Sequence, residues 1–358
     1  MNDKILAYEV RFFNVGNGSK GGDAILVRFQ DDSKQWHVVI VDGGYQENGD
    51  RIIRYLVDEC QINYIDLIFN THPDIDHISG LIEIFNSDEV KVGKLIMNRP
   101  WRDANLKISY FKDGRFTENS LDGRLKDSFK KAYELEQAAI KKIGVSNIVS
   151  PVIGNSYLNC ITILGPSTEH YRKYLLASDK TPATNEGLVG KMRTFAKKML
   201  HFIKFNVGDF VYWNDDEETS PINETSVVLW LNMTNWNFLL TGDVGKVGLN
   251  AALDYFEQTT GQESNSFDVV QLPHHGSRKN ASPELFKRLG NAQYIISCPP
   301  DGYSTGHPSK RMVNRLLQDC PNAKIYLTQT SPFIFMSNLR LTLTHVNPLV
   351  QYGEIEEL

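Results

Sequence analysis

A single turn of this chain holds four potential metal ligands within six residues. The stretch HPDIDH, residues 72–77, follows closely on the apolar run YIDLIF. His72, Asp74 and Asp76 are spaced two residues apart, whereas Asp76 and His77 are adjacent, so the turn presents side chains in two directions and can supply two neighbouring cations. Imidazole nitrogen and carboxylate oxygen without cysteine are ligands that suit zinc, manganese or iron.

Three further apolar strands end in similar residues. VVIV is followed by Asp42 and two glycines, FLLT by a glycine and Asp243, and VVQL by a proline and the pair His274-His275. Strand ends with flanking glycine bring side chains together over one edge of a sheet, where ligands bind. One such residue alone is usually a turn former, but the four clusters together predict a metal site. In a two-metal site with ions about 3.5–4 Å apart, a bridging carboxylate and a bridging hydroxide can hydrolyse an ester.

The elements that must position these residues are strands with helices between them. Three β-rich runs, a helical pattern, and the strands YIDLIF and VGKLIM with a helix between them fill the first hundred residues. Strands with intervening helices return after residue 221. Two strand-rich halves with helices between the strands predict two sheets packed face to face, with the helices on the outside. We therefore predict one α+β domain over residues 1–358, with a central, partly helical insertion at residues 100–221.

Two helices are predicted within this insertion. LDGRLKDSFKKAYELEQAAIKKIG is typical of one amphipathic helix that ends at Gly144, and a second helix is predicted over residues 186–204. The lysines and aromatic residues of the insertion form either a solvated face and a small core, or a wall that stacks bases. Since the insertion lies between two of the ligand clusters, we expect it to overhang the site.

Composition limits the classes of protein to consider. The chain has 358 residues, of which 41% are hydrophobic and 23% charged, as in globular proteins. No apolar run approaches the roughly 20 residues of a membrane span, and the first residues lack the pattern of a signal peptide. Four cysteines without a CxxC pair are typical of a reducing compartment. We expect a cytoplasmic protein without membrane contact, whose net charge of −5 gives no general attraction for polyanions.

The motifs, taken in order, resemble those of the metallo-β-lactamase fold. THPDIDH is similar to the HxHxDH signature of that fold, and VDGG, TGD and PHHG are similar to its other ligand motifs. FFNVGNG with GDAILVRF, LPHHGSRKNASPELF and GHPSKRMVNRLL resemble one branch, the metallo-β-lactamase-like domain of the ComEC/Rec2 competence proteins. The resemblance covers roughly residues 1–95 and 222–330. It implies a four-layer αββα sandwich that binds two divalent metal ions, Mn²⁺ or Zn²⁺, with Mg²⁺ as a further possibility.

The resemblance also implies a set of metal ligands. They are His72, Asp74, Asp76, His77, Asp243 and His274. Asp243 would bridge the cations. Either His274 or His275 would be the ligand, with the other behind it, and Asp42 would orient ligands rather than bind metal.

Further positions are implied to support the site or to bind substrate. They are Asn223, Ser226, His275, Ser277, Lys279 and His307. Asn223 and Ser226 lie where enzymes of this fold generally carry a further histidine ligand. His307 would contact the leaving group or phosphate of a substrate, or would be a capping or core histidine.

Two departures from the general signature alter the expected metal preference. Asp74 stands where the signature has its second histidine, and the histidine of the third motif is missing. Both changes remove nitrogen donors and make the site harder and more anionic, which favours Mn²⁺ or Mg²⁺ over zinc. The ComEC-like branch shares this pattern, so we predict an active enzyme with a preference for Mn²⁺ and one cation held less tightly.

The most consistent function is that of a metal-dependent phosphodiesterase or nuclease acting on a nucleic acid or a nucleotide. A metal-activated hydroxide would attack the phosphate, Asp74 or Asp243 would accept the proton, and Arg278, Lys279 or His307 would hold the phosphate. A small-molecule hydrolase of the lactonase or β-lactamase type is the alternative enzyme. An effector module regulated by a protein partner is the alternative from another class. The sequence leaves the oligomeric state open.

Overall fold

The computed structural model describes residues 5–17, 20–184, 217–300, 306–329 and 332–337, so the helix predicted over residues 186–204 lies outside the described residues. The strands are β1 (Ala7–Phe12), β2 (Ala24–Gln30), β3 (Trp36–Gly43), β4 (Tyr64–Phe69), β5 (Lys91–Ile96), β6 (Ile148–Val149), β7 (Ser156–Tyr157), β8 (Ile161–Gly165), β9 (Val228–Met233), β10 (Trp236–Leu240), β11 (Val269–Gln271), β12 (Gln293–Ile296), β13 (Lys324–Leu327) and β14 (Phe333–Ser337). The α-helices are α1 (Gln46–Arg54), α2 (Ile75–Asn86), α3 (Glu118–Ser128), α4 (Lys130–Ile143), α5 (Thr168–Ala177), α6 (Lys246–Thr260), α7 (Pro283–Leu289) and α8 (Lys310–Asp319).

Short helical turns complete the described elements. A π-helical turn, Tyr55–Glu59, continues α1. The 3₁₀ turns are Ile108–Tyr110, Val145–Asn147, Asn223–Thr225, Ser264–Ser266 and Pro273–Gly276. Two of them carry residues of the predicted site: Asn223–Thr225 lies shortly before β9, and Pro273–Gly276 lies shortly after β11.

The strands form two mixed sheets, each with seven strands in the described part of the chain. The first has the order β14-β1-β2-β3-β4-β5-β6, and the second has the order β13-β12-β11-β10-β9-β8-β7. Strands β3 to β6 are parallel to one another, as are β10 to β13, whereas the remaining pairs are antiparallel. Parallel strands end at the same edge of their sheet, and this is the edge at which the predicted ligand clusters follow β3, β4, β10 and β11.

Alternation along the strands explains why these sheets stack. In β3, Val39 and Val41 face the core between the two sheets, whereas Val38 and Ile40 face the helices on the other side. Strands buried on both faces have continuous apolar sequences, as VVIV has. The inner core also receives side chains such as Leu229 from the second sheet.

Each sheet carries helices on its outer face. The core outside the first sheet includes residues of α1, α2, α3 and α4, and the core outside the second includes residues of α6, α7 and α8. The molecule is therefore layered as helices, sheet, sheet and helices. The predicted α+β sandwich is confirmed. None of the described helices is long and apolar enough to cross a membrane.

The segment predicted as an insertion, residues 100–221, contributes to both sheets. Strand β6 extends the first sheet, and β7 and β8 extend the second. The prediction of a single helix up to Gly144 is wrong, because the chain forms α3 and α4 with a break at Phe129, whose φ of −109° and ψ of 42° are not helical. The break lets Leu125 and Ala132, on either side of it, pack into the same outer core.

Two glycines permit the close packing that positions the turn of residues 72–77. A Cβ atom on Gly80 in α2 would lie 1.9 Å from the carbonyl oxygen of Gly43 at the end of β3. A Cβ atom on Gly22 would lie 2.2 Å from the carbonyl oxygen of Asp76, which accepts a hydrogen bond of 3.2 Å from Asp23 N. Because glycine has no side chain, α2 can pack closely against the end of β3, and its first turn against the segment before β2.

Candidate metal centre

The candidate centre lies where strand ends of the two sheets meet. Asp42 is near the end of β3, and His72 follows β4 in the first sheet. Asp243 follows β10, and the turn Pro273–Gly276 follows β11 in the second sheet. Because all four strands are parallel to a neighbour at this edge, residues far apart in the chain converge here.

The N-terminus of α2 adds two carboxylates to this edge. Asp74 is the N-cap residue of α2, and Asp76 lies in its first turn. The positive end of a helix dipole stabilises carboxylates at these positions. Their side chains are partly exposed, at 33% for Asp74 and 27% for Asp76, whereas His72 and His77 are fully buried. The turn therefore directs its imidazoles inward and its carboxylates toward the opening of the site.

Asp243 separates the surrounding donors into two groups. Its Oδ2 lies 3.8 Å from His72 Nε2 and 3.8 Å from His274 Nε2. Its Oδ1 lies 3.5 Å from His77 Nε2 and 4.0 Å from His275 Nε2. One buried carboxylate therefore faces one pair of imidazoles with each oxygen.

Each group also includes one carboxylate of the turn. Asp74 Oδ2 lies 3.7 Å from His72 Nε2. Asp76 Oδ2 lies 3.9 Å from His77 Nε2 and 3.8 Å from His275 Nε2. These separations are too long for hydrogen bonds. They are close to the roughly 3.4 Å expected between ligands that share a tetrahedral ion at about 2.0–2.1 Å.

Several atoms of these groups are buried without a hydrogen-bond partner among the described residues. They are His72 Nε2, His77 Nε2 and Asp243 Oδ1. Buried polar atoms nearly always have a partner, so such a cluster needs an explanation. Divalent cations between these donors would satisfy all of them. The residues present therefore fit a metal centre of nitrogen and oxygen ligands.

Other groupings of donors at the same edge include Asp42 and Asp23. Ligand atoms of Asp42, His72 and His77 lie within 4.8 Å of one another, and so do those of Asp76, His77 and His275 and those of Asp23, His77 and Asp243. His77 belongs to all three groups, since its two ring nitrogens face opposite sides. The hydrogen bonds of Asp42 distinguish its role from that of a cation ligand.

Asp42 is fully engaged in holding the turn. Its carboxylate accepts hydrogen bonds from Thr71 N at 2.8 Å and Thr71 Oγ1 at 2.5 Å, and it lies 2.7 Å from His77 Nδ1. Asn70 Nδ2 donates a further bond of 3.3 Å. A carboxylate that binds Nδ1 of a histidine fixes the ring and leaves Nε2 for a metal.

Asp23 is a residue of the centre that the sequence motifs did not indicate. It is buried directly before β2, and its oxygens lie 3.8 Å from His77 Nδ1 and 3.9 Å from His275 Nδ1. Burial raises the pKa of Asp23, although the nearby histidines oppose this shift. The signal that could have identified it is the GGDA sequence, in which an aspartate opens an otherwise apolar strand.

Lys180 is a second missed residue and comes from the segment predicted as an insertion. Its Nζ donates a hydrogen bond of 2.8 Å to Asp74 Oδ1, while the other oxygen of Asp74 faces His72. Burial favours the neutral form of Asp74, but His72 and Lys180 outweigh it and hold the pKa of Asp74 well below its ordinary value. No local pattern around Lys180 indicates this contact.

The adjacent histidines diverge from a strained turn. Both have positive φ, 48° for His274 and 54° for His275, and their rings are inclined at 86° to each other. Asn223 Nδ2 lies 2.7 Å from His274 Nδ1, and the ring of His307 lies against His274 at 5.4 Å between centroids. Burial and the neighbouring His274 lower the pKa of His307 to about 4. Asn223 and His307 thus lie beside the centre.

The side chains of the remaining predicted positions, Ser226, Ser277 and Lys279, form no hydrogen bond with the imidazoles within the ranges that the structure describes. Ser277 is buried, its Oγ accepts a hydrogen bond from Lys279 N at 3.3 Å, and Lys279 is exposed. Ser226 lines a separate cavity of about 270 Å³ together with His170 and Glu224. No hydrogen bond or ion pair in the described part of the chain joins Ser226 to the imidazoles.

Attraction between the aspartates and histidines of the centre shifts their pKa values. Burial disfavours a charged Asp243, but His274, His77 and His275 surround it and hold its pKa well below the ordinary value. Burial likewise opposes protonation of His77, but Asp243 and Asp42 raise its pKa well above the ordinary value. Asp243 therefore keeps the negative charge that a cation would need.

Comparisons with known proteins give a family model and several proteins to which this chain is similar. Residues 21–136 match the model of the Metallo-beta-lactamase superfamily. Over 94 residues the chain is 28% identical to ComE operon protein 3 of Bacillus subtilis (strain 168), which is 26% of this chain and 11% of that protein. A long form RNase Z from yeast gives a TM-score of 0.39 at 12% identity, covering 92% of this chain and 41% of that chain. The metallo-beta-lactamase SMB-1 gives 0.30 at 10% identity, with 73% and 78% covered.

The family match and the fold lead to the same conclusion. The matched residues 21–136 include the turn of residues 72–77 and the strands β2 to β5 that surround it. The layers of helix and sheet, and the strand ends that meet at one edge, are those that the motifs predicted. The resemblance drawn from the sequence is therefore confirmed for residues 21–136, which match a metallo-beta-lactamase superfamily domain.

Proposed function

We propose that this protein is a metal-dependent hydrolase that cleaves phosphodiester bonds of a nucleic acid or a nucleotide. The observation that carries the proposal is the position of Asp243. Its Oδ2 is 3.8 Å from His72 Nε2, and its Oδ1 is 3.5 Å from His77 Nε2. A buried carboxylate between two groups of donors is suited to bridge two divalent cations.

The proposed ligands are those that surround Asp243. They are His72, Asp74, Asp76, His77, Asp243 and at least one histidine of the pair His274-His275. Cations held there would act as Lewis acids on the phosphoryl oxygens and would lower the pKa of water. The native ions proposed are Mn²⁺ or Zn²⁺, and the oxygen donor that Asp74 provides in place of an imidazole favours Mn²⁺.

Charge favours a phosphodiester over a neutral lactone as the substrate. The carboxylates of Asp42, Asp74, Asp76 and Asp243 would be balanced by the four positive charges of two divalent cations, so the loaded centre would not repel an anion. Lys180 adds a positive charge at its rim. Arg278 lies on the loop after His275, where it pairs with Glu217 at 2.7 Å. The resemblance to the ComEC/Rec2 branch points to the same class of substrate.

Asp74 is better placed than Asp243 to accept a proton. Its side chain is 33% exposed, whereas that of Asp243 is 4% exposed and has an imidazole facing each oxygen. An acceptor must reach the attacking water and then release the proton to solvent. We propose that Asp243 holds the cations, that Asp74 receives the proton and that His307, beside His274, contacts the phosphate or the leaving group.

A substrate screen tests this proposal. Protein freed of metal is reconstituted separately with Mn²⁺, Mg²⁺ and Zn²⁺, and each form is given DNA, RNA, a cyclic dinucleotide, a nitrophenyl phosphodiester, a lactone and a β-lactam. We expect hydrolysis of at least one phosphodiester, fastest with Mn²⁺. Turnover of the lactone or the β-lactam without any phosphodiester cleavage would establish a small-molecule hydrolase instead. Cation binding without hydrolysis of any substrate would favour a module regulated by a partner.

A further inference from the structure

We infer that the adjacent histidines 274 and 275 each serve a different cation. His274 completes the group of His72, Asp74 and Asp243, and His275 completes the group of Asp76, His77 and Asp243. This inference rests on the metal centre proposed above. It replaces the alternative, drawn from the motifs, in which one histidine is the ligand and the other lies behind it.

Distances from Asp243 carry the assignment. His274 Nε2 lies 3.8 Å from Asp243 Oδ2, the oxygen that also faces His72. His275 Nε2 lies 4.0 Å from Asp243 Oδ1, the oxygen that also faces His77. The two histidines therefore face different oxygens of the same carboxylate. A cation that His274 shares with His72 would lie beside Oδ2, and a cation that His275 shares with His77 would lie beside Oδ1.

The backbone of the pair explains how neighbours in sequence reach different ions. His274 and His275 both adopt the left-handed conformation, with φ of 48° and 54°, which is unfavourable for residues with a side chain. The turn is held by a hydrogen bond of 3.2 Å from His274 N to Gly242 O and one of 3.0 Å from Ser277 N to His274 O. Strain of this kind persists where the surrounding structure requires it, often at functional sites. Here it rotates the two rings 86° apart.

The side chain of Asn223 contacts Nδ1 of His274, the ring nitrogen that would not bind the cation. Asn223 Nδ2 lies 2.7 Å from His274 Nδ1 and 3.0 Å from Thr219 Oγ1, while Asn223 Oδ1 accepts a hydrogen bond of 2.6 Å from Ser220 Oγ. When His274 binds a cation through Nε2, its Nδ1 carries the proton, so the amide would turn to place Oδ1 toward the ring and accept that proton. Asn223, one of the two positions at which the resemblance implies a further histidine, would thus orient His274.

The assignment gives the two cations equivalent ligand sets. One cation would have the ligands His72, His274, Asp74 and Asp243. The other would have the ligands His77, His275, Asp76 and Asp243. The histidine missing from the third motif is then replaced by His274. Neither cation is short of nitrogen ligands, and both should bind with similar affinity, rather than one being held less tightly.

Cation counting in single and double variants tests the assignment without measuring turnover. Bound Mn²⁺ or Zn²⁺ is measured by elemental analysis at a free concentration just sufficient to fill the wild-type protein. We expect two ions in the wild type, one in His274→Ala, one in His275→Ala and none in the double variant. His72→Ala/His274→Ala should keep one ion, because both residues serve the same cation. His77→Ala/His274→Ala should keep none.

Other counts overturn the inference. If the His274→Ala/His275→Ala variant keeps one ion, the two histidines serve the same cation, and if His274→Ala keeps two ions, His274 is not a ligand. Asn223→Leu should lose the same ion as His274→Ala, whereas Asn223→Asp should keep both, because a carboxylate also accepts the Nδ1 proton. Circular dichroism verifies that each variant is folded. A wild-type protein that binds no cation would refute the proposed function itself.

Discussion

At the scale of single residues, each buried histidine of the turn uses its two ring nitrogens differently. His77 Nδ1 lies 2.7 Å from Asp42, and its Nε2 faces Asp243 at 3.5 Å. His72 Nδ1 lies 3.1 Å from Thr71 Oγ1, and its Nε2 faces Asp74 and Asp243. One nitrogen fixes the ring and the other is available to a cation. Loss of the fixing partner should therefore weaken cation binding even when every ligand remains.

Asp42→Asn tests this division of roles. Asparagine tolerates the φ of 55° at this position, so the backbone should be retained. The neutral amide no longer stabilises the Nδ1 proton of His77, and we expect the affinity for Mn²⁺ to fall by about 10- to 100-fold. Isothermal titration of metal-free protein measures it. Asp66→Asn, which alters an aspartate that lies 3.3 Å from His37 Nδ1 instead, is the control and should bind Mn²⁺ normally. Wild-type affinity in Asp42→Asn would contradict the role of Asp42.

Asp243→Ala should have the largest effect of any single substitution in the centre. It removes an oxygen from both groups of donors, so we expect bound cations to fall below one per chain and phosphodiester hydrolysis to fall by at least about 100-fold. The fold should remain, because Asp243 lies at the edge of the sheets. Elemental analysis, turnover and circular dichroism measure these effects. Asp113→Asn removes an exposed carboxylate that pairs with Arg115 and should change none of them. Unaltered cation content in Asp243→Ala would exclude it as the bridge.

At the scale of elements, the first turn of α2 depends on how closely the helix approaches β3. Gly80 N donates a hydrogen bond of 2.9 Å to Gly44 O, and a Cβ atom at Gly80 would lie 1.9 Å from Gly43 O. The obstacle is backbone, which cannot move aside as a side chain can. A larger residue at Gly80 must therefore push α2 outward, and Asp74 and Asp76 with it.

Gly80→Ala should lower both stability and cation affinity. We expect the free energy of unfolding to fall by at least about 2 kcal/mol because packed backbone must separate. Gly123→Ala is the matched control, since Gly123 also lies in a helix, α3, but has no atom within 4 Å of an added Cβ. That control should gain up to about 1 kcal/mol from better helix propensity. Urea unfolding of both variants measures the difference. Equal stability of the two variants would show that α2 can shift without cost.

The chain after α5 contributes Lys180 to the rim of the centre. Lys180 Nζ is 2.8 Å from Asp74 Oδ1. Lys180→Met keeps the length of the side chain but removes its charge, so we expect a higher KM for a phosphodiester and a reduction of about 1 in the salt-dependence slope for a nucleic acid. Lys141→Met, an exposed lysine of α4, is the control and should change neither. An unchanged KM and salt slope in Lys180→Met would limit Lys180 to a contact with Asp74.

At the scale of the whole molecule, the candidate centre joins the two sheets. His72, Asp74 and His77 come from the first sheet and the helix that follows it, whereas Asp243 and the histidine pair follow strands of the second sheet. Cations bound between them would link the two halves. Cation binding should therefore stabilise the entire fold rather than a local loop.

Thermal unfolding measures this link. A ligand that binds only the folded state stabilises it by about 2.7 kcal/mol at a concentration of 100 Kd and by about 4.1 kcal/mol at 1,000 Kd. We expect the Tm of metal-free protein to rise steadily with added Mn²⁺ and to fall again with a chelator. Asp243→Ala should show little of this dependence. A Tm that is independent of Mn²⁺ in the wild type would mean that the two halves are held together without cations.

The sequence by itself determined the layers and most of the elements at the site. Apolar runs such as VVIV and FLLT predicted central strands because strands buried on both faces have no polar alternation, and Asp42 and Asp243 at their ends indicated which edge carries chemistry. It did not predict α5 or β14, nor the break at Phe129. A break at a residue that is itself apolar leaves no mark in the helical pattern.

Only the tertiary structure decided which side chains meet. Lys180 and Asp74 are 106 positions apart, and nothing in the local sequence indicates that they touch. Asp23 opens an apolar strand in the sequence, but only the packing of the two sheets places it against His77 and His275. Residue spacing fixes the direction of side chains within one element, whereas contacts between elements depend on how whole layers pack. The separate directions of His274 and His275 come from a left-handed turn that no residue preference would have predicted.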